Sequence, residues 1–513
     1  MAERQRFTPR LHDAGFVVNG HYGDQRGRRS FEETGPARAR HDARALGRAT
    51  SRADRPVSPV GLTGTAGALD SRFAQISADF TPSREALLAL AARFQEEIAR
   101  GLAGAGGSLK MLRTFVEQPW GDERGRPIVV DWGGTHGRVG AVRLEGQGQV
   151  GILREDAFTF TEDDKAAPAD RVFDVIVAAI DRLVGGDRRT AYELAFVYSF
   201  PARLERIDRA IALPMTKGWR PVGLVGRDVA GLLGAALGRR GLTNVAVRAV
   251  ANDTVAPMVL QTYRMRGRDG SARPAEVGLI LGTGTNQAAD LPGFGIRNLE
   301  SGDFNLVSPQ QTPYDVALDR EVADPVPGAQ LFEKMVSGQY LGEIVRRVVG
   351  DLAAPASLFQ WSAVPAFATP FGFSSVNLSR IEADESGDLS AVEALLRELG
   401  ITSSRLERLT LRAVSRLVVA RSARLVATTL VGTLRQIDPA LARPHTIAVD
   451  GSLWGGYPGY AGLVRAAFEE LVGPETAARI RPEFVRDSTA AGAAVIAAVA
   501  GRERTAGDAA GAG

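Results

Sequence analysis

The chain has 513 residues, a formal net charge of +3 and a hydrophobic fraction of 44%, which allow one large or two to three ordinary globular domains. It contains no cysteine, which excludes disulfides, thiolate metal sites and a thiol nucleophile. Acids and bases nearly balance, so charge gives little indication of a nucleic-acid partner. The sequence has neither an uninterrupted apolar run of about 18 residues nor a basic-then-apolar leader pattern. We therefore expect a cytoplasmic protein without a membrane-spanning helix.

The first 75 residues differ in composition from the rest, being rich in Arg, Gly, Ser and Ala with few aliphatic runs. Such a segment buries too little apolar surface to offset its ordering entropy, so we predict a disordered extension over residues 1–75. A basic arm that contacts nucleic acid is the alternative. Interspersed acidic residues and the near absence of aromatic residues argue against that alternative.

Ordered structure is expected to begin near Thr81, because Thr81 followed by Pro82 is typical of a helix start. Apolar residues then repeat at helical spacing and should form one buried face. These residues are Leu87, Ala91, Phe94 and Ile98. From Pro127 onward, strand-like and helix-like segments alternate, as they do in α/β folds. The predicted strands are 128–130, 139–144, 194–198, 245–249 and 277–281, and the predicted helices are 172–183 and 229–237.

Two segments share one design. Residues 127–144 and 275–291 each consist of an apolar strand, a turn of the Gly-Thr type and a second strand, and residues 445–456 are a weaker third version. Repeated strand–turn units of this kind indicate a duplicated α/β domain with a ligand between the halves, rather than a short-period solenoid.

The glycine turns are the first candidate for chemistry. Adjacent glycines leave backbone N–H groups free to approach a phosphate without interference from a Cβ atom. The first turn contains Gly133, Gly134 and Thr135, and it follows Asp131, which could hold Mg²⁺ through water. The second turn spans 282–286, about 150 residues further on. Each turn alone is equally well explained as a tight hairpin, whereas two of them after apolar strands favour a phosphate site.

Asp253 is the candidate base. The strand that includes residues 245–249 ends at Asn252, and a helix is expected to start near Thr254. A carboxylate at the carboxyl end of such a strand lies in the crevice where open α/β sheets bind ligands. Phosphoryl transfer requires positioning, charge neutralisation and a base for the acceptor hydroxyl, and aspartate fits that last role. From these residues alone, a helix N-cap is an equally good explanation of Asp253.

Three further charged residues are candidates. Lys217, which follows the Ser199-Phe200-Pro201 segment, would neutralise phosphate charge. Glu300 and Glu333 would accept hydrogen bonds from hydroxyl groups of a sugar. The alternatives are a solvated loop lysine and ordinary surface glutamates.

Taken together, the order and spacing of these motifs resemble the eukaryotic-type hexokinase and glucokinase family of the actin-like ATPase superfamily. The resemblance runs from about residue 80 to about residue 501. It is carried by SLKMLRTFV (108–116), LAFVYSFPARLERIDRAIALPMTKGW (194–219), VRAVANDTVAPMV (247–259), VGLILGTGTNQA (277–288), PGAQLFEKMVSGQYLGEIVR (327–346), ADESGDL (383–389) and TIAVDGSLW (446–454).

The resemblance implies specific residue roles. Asp253 would be the general base on the 6-hydroxyl of the sugar, and Lys217 would contact both the transferred phosphate and the sugar. The hexose site would comprise Ser199, Thr216, Lys217, Asn252, Asp253, Asn286, Glu300 and Glu333. The ATP site would comprise Asp131, Gly133, Gly134, Thr135 and Arg138 in the first phosphate loop, Gly282 and Thr283 in the second, and Gly451 and Ser452 near the adenosine. Asp131 would also be part of the Mg²⁺ environment.

The implied fold is two RNase-H-like α/β lobes around a catalytic cleft. The smaller lobe would span 76–252 with the N-terminal helix, completed by a C-terminal helix over 485–505, and the larger lobe 253–484. The implied activity is ATP-dependent phosphorylation of a hexose, with glucose expected first. A non-catalytic sugar-sensing protein on the same scaffold is the alternative. The expected partners are hexose and ATP, with no nucleic acid or membrane, and either a monomer or a homodimer is compatible with the sequence.

The chain also departs from the pattern of this family at four places. His136-Gly137 replaces Asn-Phe in the first loop, Leu299 and Ser301 replace the Thr and Trp that flank the glutamate, Gln339 replaces a lysine, and residues 488–491 replace part of a Gly-Ser-Gly-Lys-like turn. None of these changes removes a predicted catalytic group. The replacement of a bulky Trp by Ser301 is expected to loosen the support behind Glu300.

Overall fold

The strands and helices are taken from a computed structural model, which describes residues 65–215, 218–323, 325–356, 358–361, 364–486 and 488–510. The strands are β1 (Leu112–Arg113), β2 (Arg124–Gly125), β3 (Ile128–Trp132), β4 (His136–Gly146), β5 (Gln149–Thr159), β6 (Tyr192–Tyr198), β7 (Ala202–Arg206), β8 (Arg209–Ala212), β9 (Val245–Ala251), β10 (Val277–Leu281), β11 (Thr285–Leu291), β12 (Gly295–Asn298), β13 (His445–Asp450) and β14 (Ile480–Phe484). The helices are α1 (Thr65–Asp79), α2 (Arg84–Leu102), α3 (Ala169–Val184), α4 (Val229–Arg239), α5 (Val255–Arg268), α6 (Pro313–Glu321), α7 (Leu331–Val336), α8 (Gly338–Ala356), α9 (Pro365–Ala368), α10 (Ser375–Glu382), α11 (Ser390–Glu398), α12 (Arg405–Ile437), α13 (Ser452–Gly456), α14 (Tyr460–Val472), α15 (Pro474–Ala477) and α16 (Ser488–Ala510).

Two mixed sheets organise the fold. The smaller lobe is built on strand order β2-β4-β3-β6-β9, with β5 paired to β4, and the larger lobe on β1-β12-β11-β10-β13-β14. In each sheet an antiparallel hairpin, β3–β4 or β10–β11, continues into parallel strands. The predicted strand–turn–strand repeat is therefore confirmed, and both glycine turns connect the two strands of such a hairpin.

Three apolar cores hold these layers together. One core belongs to the larger lobe, where α12 packs beside α2, and a second surrounds Trp132 in the smaller lobe. The third joins the sheets through α5 and α16, with Val129, Met258, Ala448 and Val495 among its members. Close packing of the two helices requires Gly492, since a Cβ atom there would lie 2.1 Å from the carbonyl oxygen of Ala256.

The N-terminal part of the described chain differs from expectation in two respects. Helix α1 covers residues 65–79, so the predicted disorder over 1–75 is wrong at its C-terminal end, and residues 1–64 lie outside the described residues. Ile76 and Phe80 are buried in the core of the larger lobe. The predicted buried face of α2 is confirmed, but it packs in that same core rather than in the smaller lobe. The sequence did not indicate this partner, because α12 begins about 300 residues later.

Among the described residues, one helix, α12, is long and apolar enough to cross a bilayer, and 83% of its most apolar stretch is buried inside the protein. Its Arg421 forms a buried ion pair with Asp315 and stacks on the ring of Phe80, 4.4 Å from the centroid. These contacts are those of a core helix that is surrounded by the rest of the larger lobe.

Candidate active site

Asp253 lies where β9 ends and α5 begins. The side-chain oxygen of Asn252 accepts the backbone N–H of Thr254 at 3.0 Å, while Asp253 accepts the Thr254 hydroxyl at 3.2 Å. The N-cap of α5 is Thr254 and no side chain caps this helix start, so the interpretation of Asp253 as an N-cap loses its main support. Gly278 on β10 fixes the depth of this junction, because a Cβ atom there would lie 2.3 Å from the carbonyl oxygen of Thr254.

A polar chain runs beside this junction on the larger lobe. The Asn286 amide donates to the side-chain oxygen of Asn298 at 2.8 Å, and the Asn298 amide donates to Glu300 Oε1 at 2.8 Å. Asn298 is 4% exposed and was not among the predicted residues, although it orients two of them. Glu300 itself has a left-handed backbone with φ 54°. Such a conformation is costly for a residue with a side chain and is often found at functional sites.

Lys110 is a second residue that the sequence did not single out. Its Nζ lies 2.8 Å from Asp303 and 3.9 Å from Glu300. Burial alone would lower the pKa of Lys110, but the carboxylates of Glu300, Asp303 and Glu333 outweigh burial and raise it. The only sequence feature that pointed to Lys110 was its place in the segment 108–116, which carries the family resemblance. Lys110 is therefore a permanent cation at pH 7 on this wall of the cleft.

The ionisation of Glu300 reflects several opposing influences. Burial raises its pKa above the ordinary value, and the negative charges of Asp303 and Asp253 act in the same direction. Lys110 and the hydrogen bond from Asn298 oppose this rise. The influence of Asp253 shows that the two carboxylates share one electrostatic environment. Ser301 is fully buried, its backbone N–H donates to Asn286 at 3.0 Å, and its hydroxyl has no hydrogen-bond partner among the described residues. The expected loosening behind Glu300 stays a prediction.

Glu333 reaches the same region from α7. Its Oε2 accepts the backbone N–H of Thr285 at 2.9 Å, directly after the second glycine turn. A Cβ atom at Gly284 would lie 2.6 Å from that same oxygen, so this approach requires glycine. Glu333 is thereby placed between the second turn and Lys110, whose pKa it helps to raise.

A pocket between the lobes collects the hexose-site candidates Asn252 and Glu300 together with Asn298. Tyr198 and Phe200 line the side that belongs to the smaller lobe, and Ser199 lies between them. A Cβ atom built at Gly133 would lie 4.0 Å from the Ser199 hydroxyl, which places the predicted serine beside the first glycine turn. Thr216 and Lys217 lie outside the described residues, so their predicted roles stay predictions.

The first glycine turn joins β3 to β4, with Asp131 opposite Arg138 in the antiparallel pair. A Cβ atom built at Gly134 would meet no atom within 4 Å, so the backbone is open to a ligand there. The glycine at position 137 is explained by packing. A Cβ atom at this position would lie 2.1 Å from the ring of Phe158, which fills the space where the family pattern has a phenylalanine.

The second glycine turn meets the adenosine-side loop. A Cβ atom at Gly282 would lie 3.1 Å from the backbone nitrogen of Ser452, and Gly451 has a φ of 129° that strongly favours glycine. Asp450 accepts the N–H groups of Gly451 at 2.7 Å and Ser488 at 2.9 Å, which ties this loop to the start of α16. The predicted residues Gly282, Gly451 and Ser452 are therefore adjacent.

The geometry defines a class of protein: a two-lobed α/β protein with a glycine turn on the sheet of each lobe and, between the lobes, a pocket lined by Asn252, Asn298 and Glu300. Comparison with known proteins gives the family. A model described as Hexokinase matches residues 276–499, and a second model of the same description matches residues 72–263. The chain therefore belongs to the hexokinase family, the enzymes that phosphorylate hexoses with ATP.

Individual hexokinases are similar to this chain over most of their length. Hexokinase-1 of Schizosaccharomyces pombe is 30% identical over 455 residues, which cover 84% of this chain and 91% of that protein. A chloroplastic hexokinase-4 of Oryza sativa is 34% identical over 472 residues, covering 83% and 89%. The solved structure of a Schistosoma mansoni hexokinase complexed with glucose matches with a TM-score of 0.72 at 27% identity, covering 85% of this chain and 99% of that chain. These relatives are hexokinases by name, and they do not support the sugar-sensing alternative.

Proposed function

We propose that this hexokinase transfers the γ-phosphate of ATP to the 6-hydroxyl of glucose, with Asp253 as the general base. The observation that carries the proposal is the position of Asp253. It directly follows Asn252 at the edge of a pocket that Asn298 and Glu300 also line, and its charge reaches Glu300. A base at this edge would be within reach of a hydroxyl of a sugar held in the pocket.

The hydrogen-bonding groups of the pocket suit a sugar. Glu300 accepts one bond from Asn298, which leaves carboxylate oxygen capacity for sugar hydroxyls, and charge-assisted bonds of this type are the strong ones. Asn286 and Asn298 hold each other in fixed orientations, so little conformational entropy would be lost on binding. Lys110 balances the carboxylates around it, which lowers the cost of keeping them ionised.

The proton and the phosphate would move as follows. Asp253 would take the proton of the 6-hydroxyl as its oxygen attacks the γ-phosphorus, and the bond from that phosphorus to the β,γ-bridging oxygen would break to release ADP. Backbone N–H groups of the turns at Gly133–Gly134 and Gly282 would hold the ATP phosphates. Lys217 is the predicted cation for the transferred group.

Mg²⁺ fits this arrangement through Asp131. Among the described residues no cluster of three or more His, Asp or Glu side chains is placed to hold a metal ion. Mg²⁺ needs no such cluster when it binds with a nucleotide, since it takes one or two carboxylates, phosphate oxygens and water. Asp131 stands at the end of β3, next to the first turn, where it would contact an ion through water. Bound Mg²⁺ would neutralise the charge of the phosphates.

A turnover assay tests the proposal. Purified full-length chain with ATP, Mg²⁺ and glucose should release ADP, and Asp253→Asn should lower kcat by about 10²–10⁴-fold, the usual contribution of a general base. Asp163→Asn, at an exposed aspartate of the smaller lobe, is the matched control and should retain full activity. An unchanged kcat in a folded Asp253→Asn protein would refute the base. Glucose binding without turnover on glucose, mannose, fructose or glucosamine would favour the sugar-sensing alternative.

The site of action in the cell and the quaternary structure are further proposals. We propose a cytoplasmic enzyme whose partners are hexose and ATP, without nucleic acid or membrane. Fractionation of cells and light scattering of the purified chain would test the location and distinguish a monomer from a homodimer.

A further inference from the structure

Four basic side chains meet at the outer mouth of the cleft. Lys110, Arg113 and Arg297 come from the larger lobe, and Arg203 comes from the hairpin β7–β8 that follows Ser199. They line one hollow together with a single carboxylate, Glu205. We call the four basic residues the basic junction.

Among the described residues, two cations of the basic junction form ion pairs and two do not. Lys110 pairs with Asp303, and Arg203 pairs with Glu205 at 2.8 Å, a carboxylate that also accepts from Arg209. Arg113 and Arg297 form no ion pair with any described carboxylate. They also stand directly opposite each other on the antiparallel strands β1 and β12. Like charges in directly opposed positions destabilise a sheet, so an anion between them would relieve an existing repulsion.

The two guanidinium groups without an ion pair differ in their surroundings. The Nε of Arg297 is buried and has no hydrogen-bond partner in the described structure. Burial, and secondarily the charge of Arg113, lower the pKa of Arg297. The Arg113 guanidinium stacks over the ring of Phe115, 4.3 Å from its centroid.

The hollow is continuous with the candidate hexose pocket, because Leu112, Arg113 and Leu204 line both. It also spans the two lobes, since Arg203 belongs to one and Arg297 to the other. An anion bound here would connect the lobes at the entrance of the pocket. Arginine binds phosphate through two parallel N–H···O hydrogen bonds, and a phosphate group has enough oxygens to accept from two arginines at once.

We propose that the phosphate group of a small molecule binds at the basic junction between Arg113 and Arg297, with Arg203 contributing from the smaller lobe. By connecting the lobes, it strengthens hexose binding in the adjoining pocket. The anion site is independent of the proposed function, and only its effect on hexose binding depends on it.

Calorimetric titration of the full chain tests the site. The glucose pocket and phosphate turns are first filled with glucose and a Mg²⁺–non-hydrolysable ATP analogue, so that only additional sites respond at constant ionic strength. Inorganic phosphate and glucose 6-phosphate are the two probes. A response to both indicates that the phosphate group suffices, and a response to glucose 6-phosphate alone indicates an ester as the ligand. Absence of binding by both probes overturns the proposal.

Variants locate the binding. Arg113→Gln and Arg297→Gln should each weaken phosphate binding at least tenfold, while Arg143→Gln, whose exposed guanidinium pairs with Glu145, should bind like the wild type. Phosphate binding as tight as that of the wild type in both junction variants overturns the proposal. Arg113 is exposed, so its variant keeps the test valid if Arg297→Gln fails to fold.

The effect on hexose is measured separately in the absence of nucleotide. Phosphate should lower the glucose Kd of the wild type at least threefold and leave that of Arg113→Gln unchanged. A glucose Kd that does not respond to phosphate in the wild type refutes the connection between the lobes. Failure of the proposed function would appear instead as missing glucose binding or missing turnover, with phosphate binding intact.

Discussion

Replacing Gly278 by alanine is expected to slow phosphoryl transfer by displacing Asp253. The new Cβ atom would lie 2.3 Å from the carbonyl oxygen of Thr254, and real contacts do not fall below 3.0 Å, so the start of α5 must move by at least 0.7 Å. Met258 Cβ, 3.3 Å away on the same helix, also has to give. A misplacement of about 1 Å costs about 10²-fold in rate, and overpacking of this kind costs about 1–3 kcal/mol of stability.

The assay is steady-state kinetics of the purified variant, with circular dichroism to verify the fold. We expect kcat to fall by about 10²-fold, because transfer depends on the placement of the base. The KM for ATP should change less, since the glycine turns are not displaced. Gly234→Ala is the control, because a Cβ atom there would meet nothing within 4 Å, and it should leave kcat unchanged. A folded Gly278→Ala protein with a wild-type kcat would show that the β10–α5 contact does not position Asp253.

Three further predictions concern the cleft and the core. Asn298→Ala should raise the glucose KM by about 5–100-fold with a smaller change in kcat. The substitution leaves Asn286 and Glu300 without their hydrogen-bond partner, which costs about 1–3 kcal/mol of binding free energy. An unchanged KM would exclude Asn298 from the site. Lys110→Met removes a cation that lowers the pKa of Glu300. Glucose binding requires the ionised carboxylate and weakens as pH falls through that pKa, so the acid limb of a Kd–pH profile should move to higher pH; a fixed limb would refute this coupling. Arg421→Met should cost about 3–5 kcal/mol in urea unfolding, since it strands the buried charge of Asp315; a loss below 1 kcal/mol would contradict that role.

Local sequence patterns were enough to predict most of the helices and strands. The apolar face of α2 and the strand before each glycine turn follow from helical or extended periodicity, which neighbouring residues encode by themselves. Helix α1 was not predicted because it lies at the end of a segment rich in Arg, Gly, Ser and Ala, whose composition as a whole does not favour ordered structure. It is held by distant partners instead, including an ion pair between Arg72 and Asp351 and the burial of Ile76 and Phe80.

The difference between local sequence patterns and distant contacts also explains which site residues could be predicted. Asp253 was predictable because a carboxylate at the end of a strand has a restricted set of uses, and the family order selected one of them. Asn298 and Lys110 were not, because an asparagine in a strand and a lysine in a loop gain their roles only through cross-strand and loop contacts. The departure at Gly137 has its explanation 21 residues away, in Phe158 on the paired strand β5.

The most direct test of the central claim is to identify the product by nuclear magnetic resonance. With ATP, Mg²⁺ and glucose, the wild-type chain should yield a phosphorus–proton correlation at carbon 6 of the sugar, and Asp253→Asn should yield none in the same time. A phosphate on another hydroxyl, or release of inorganic phosphate without a sugar ester, would contradict the proposed transfer.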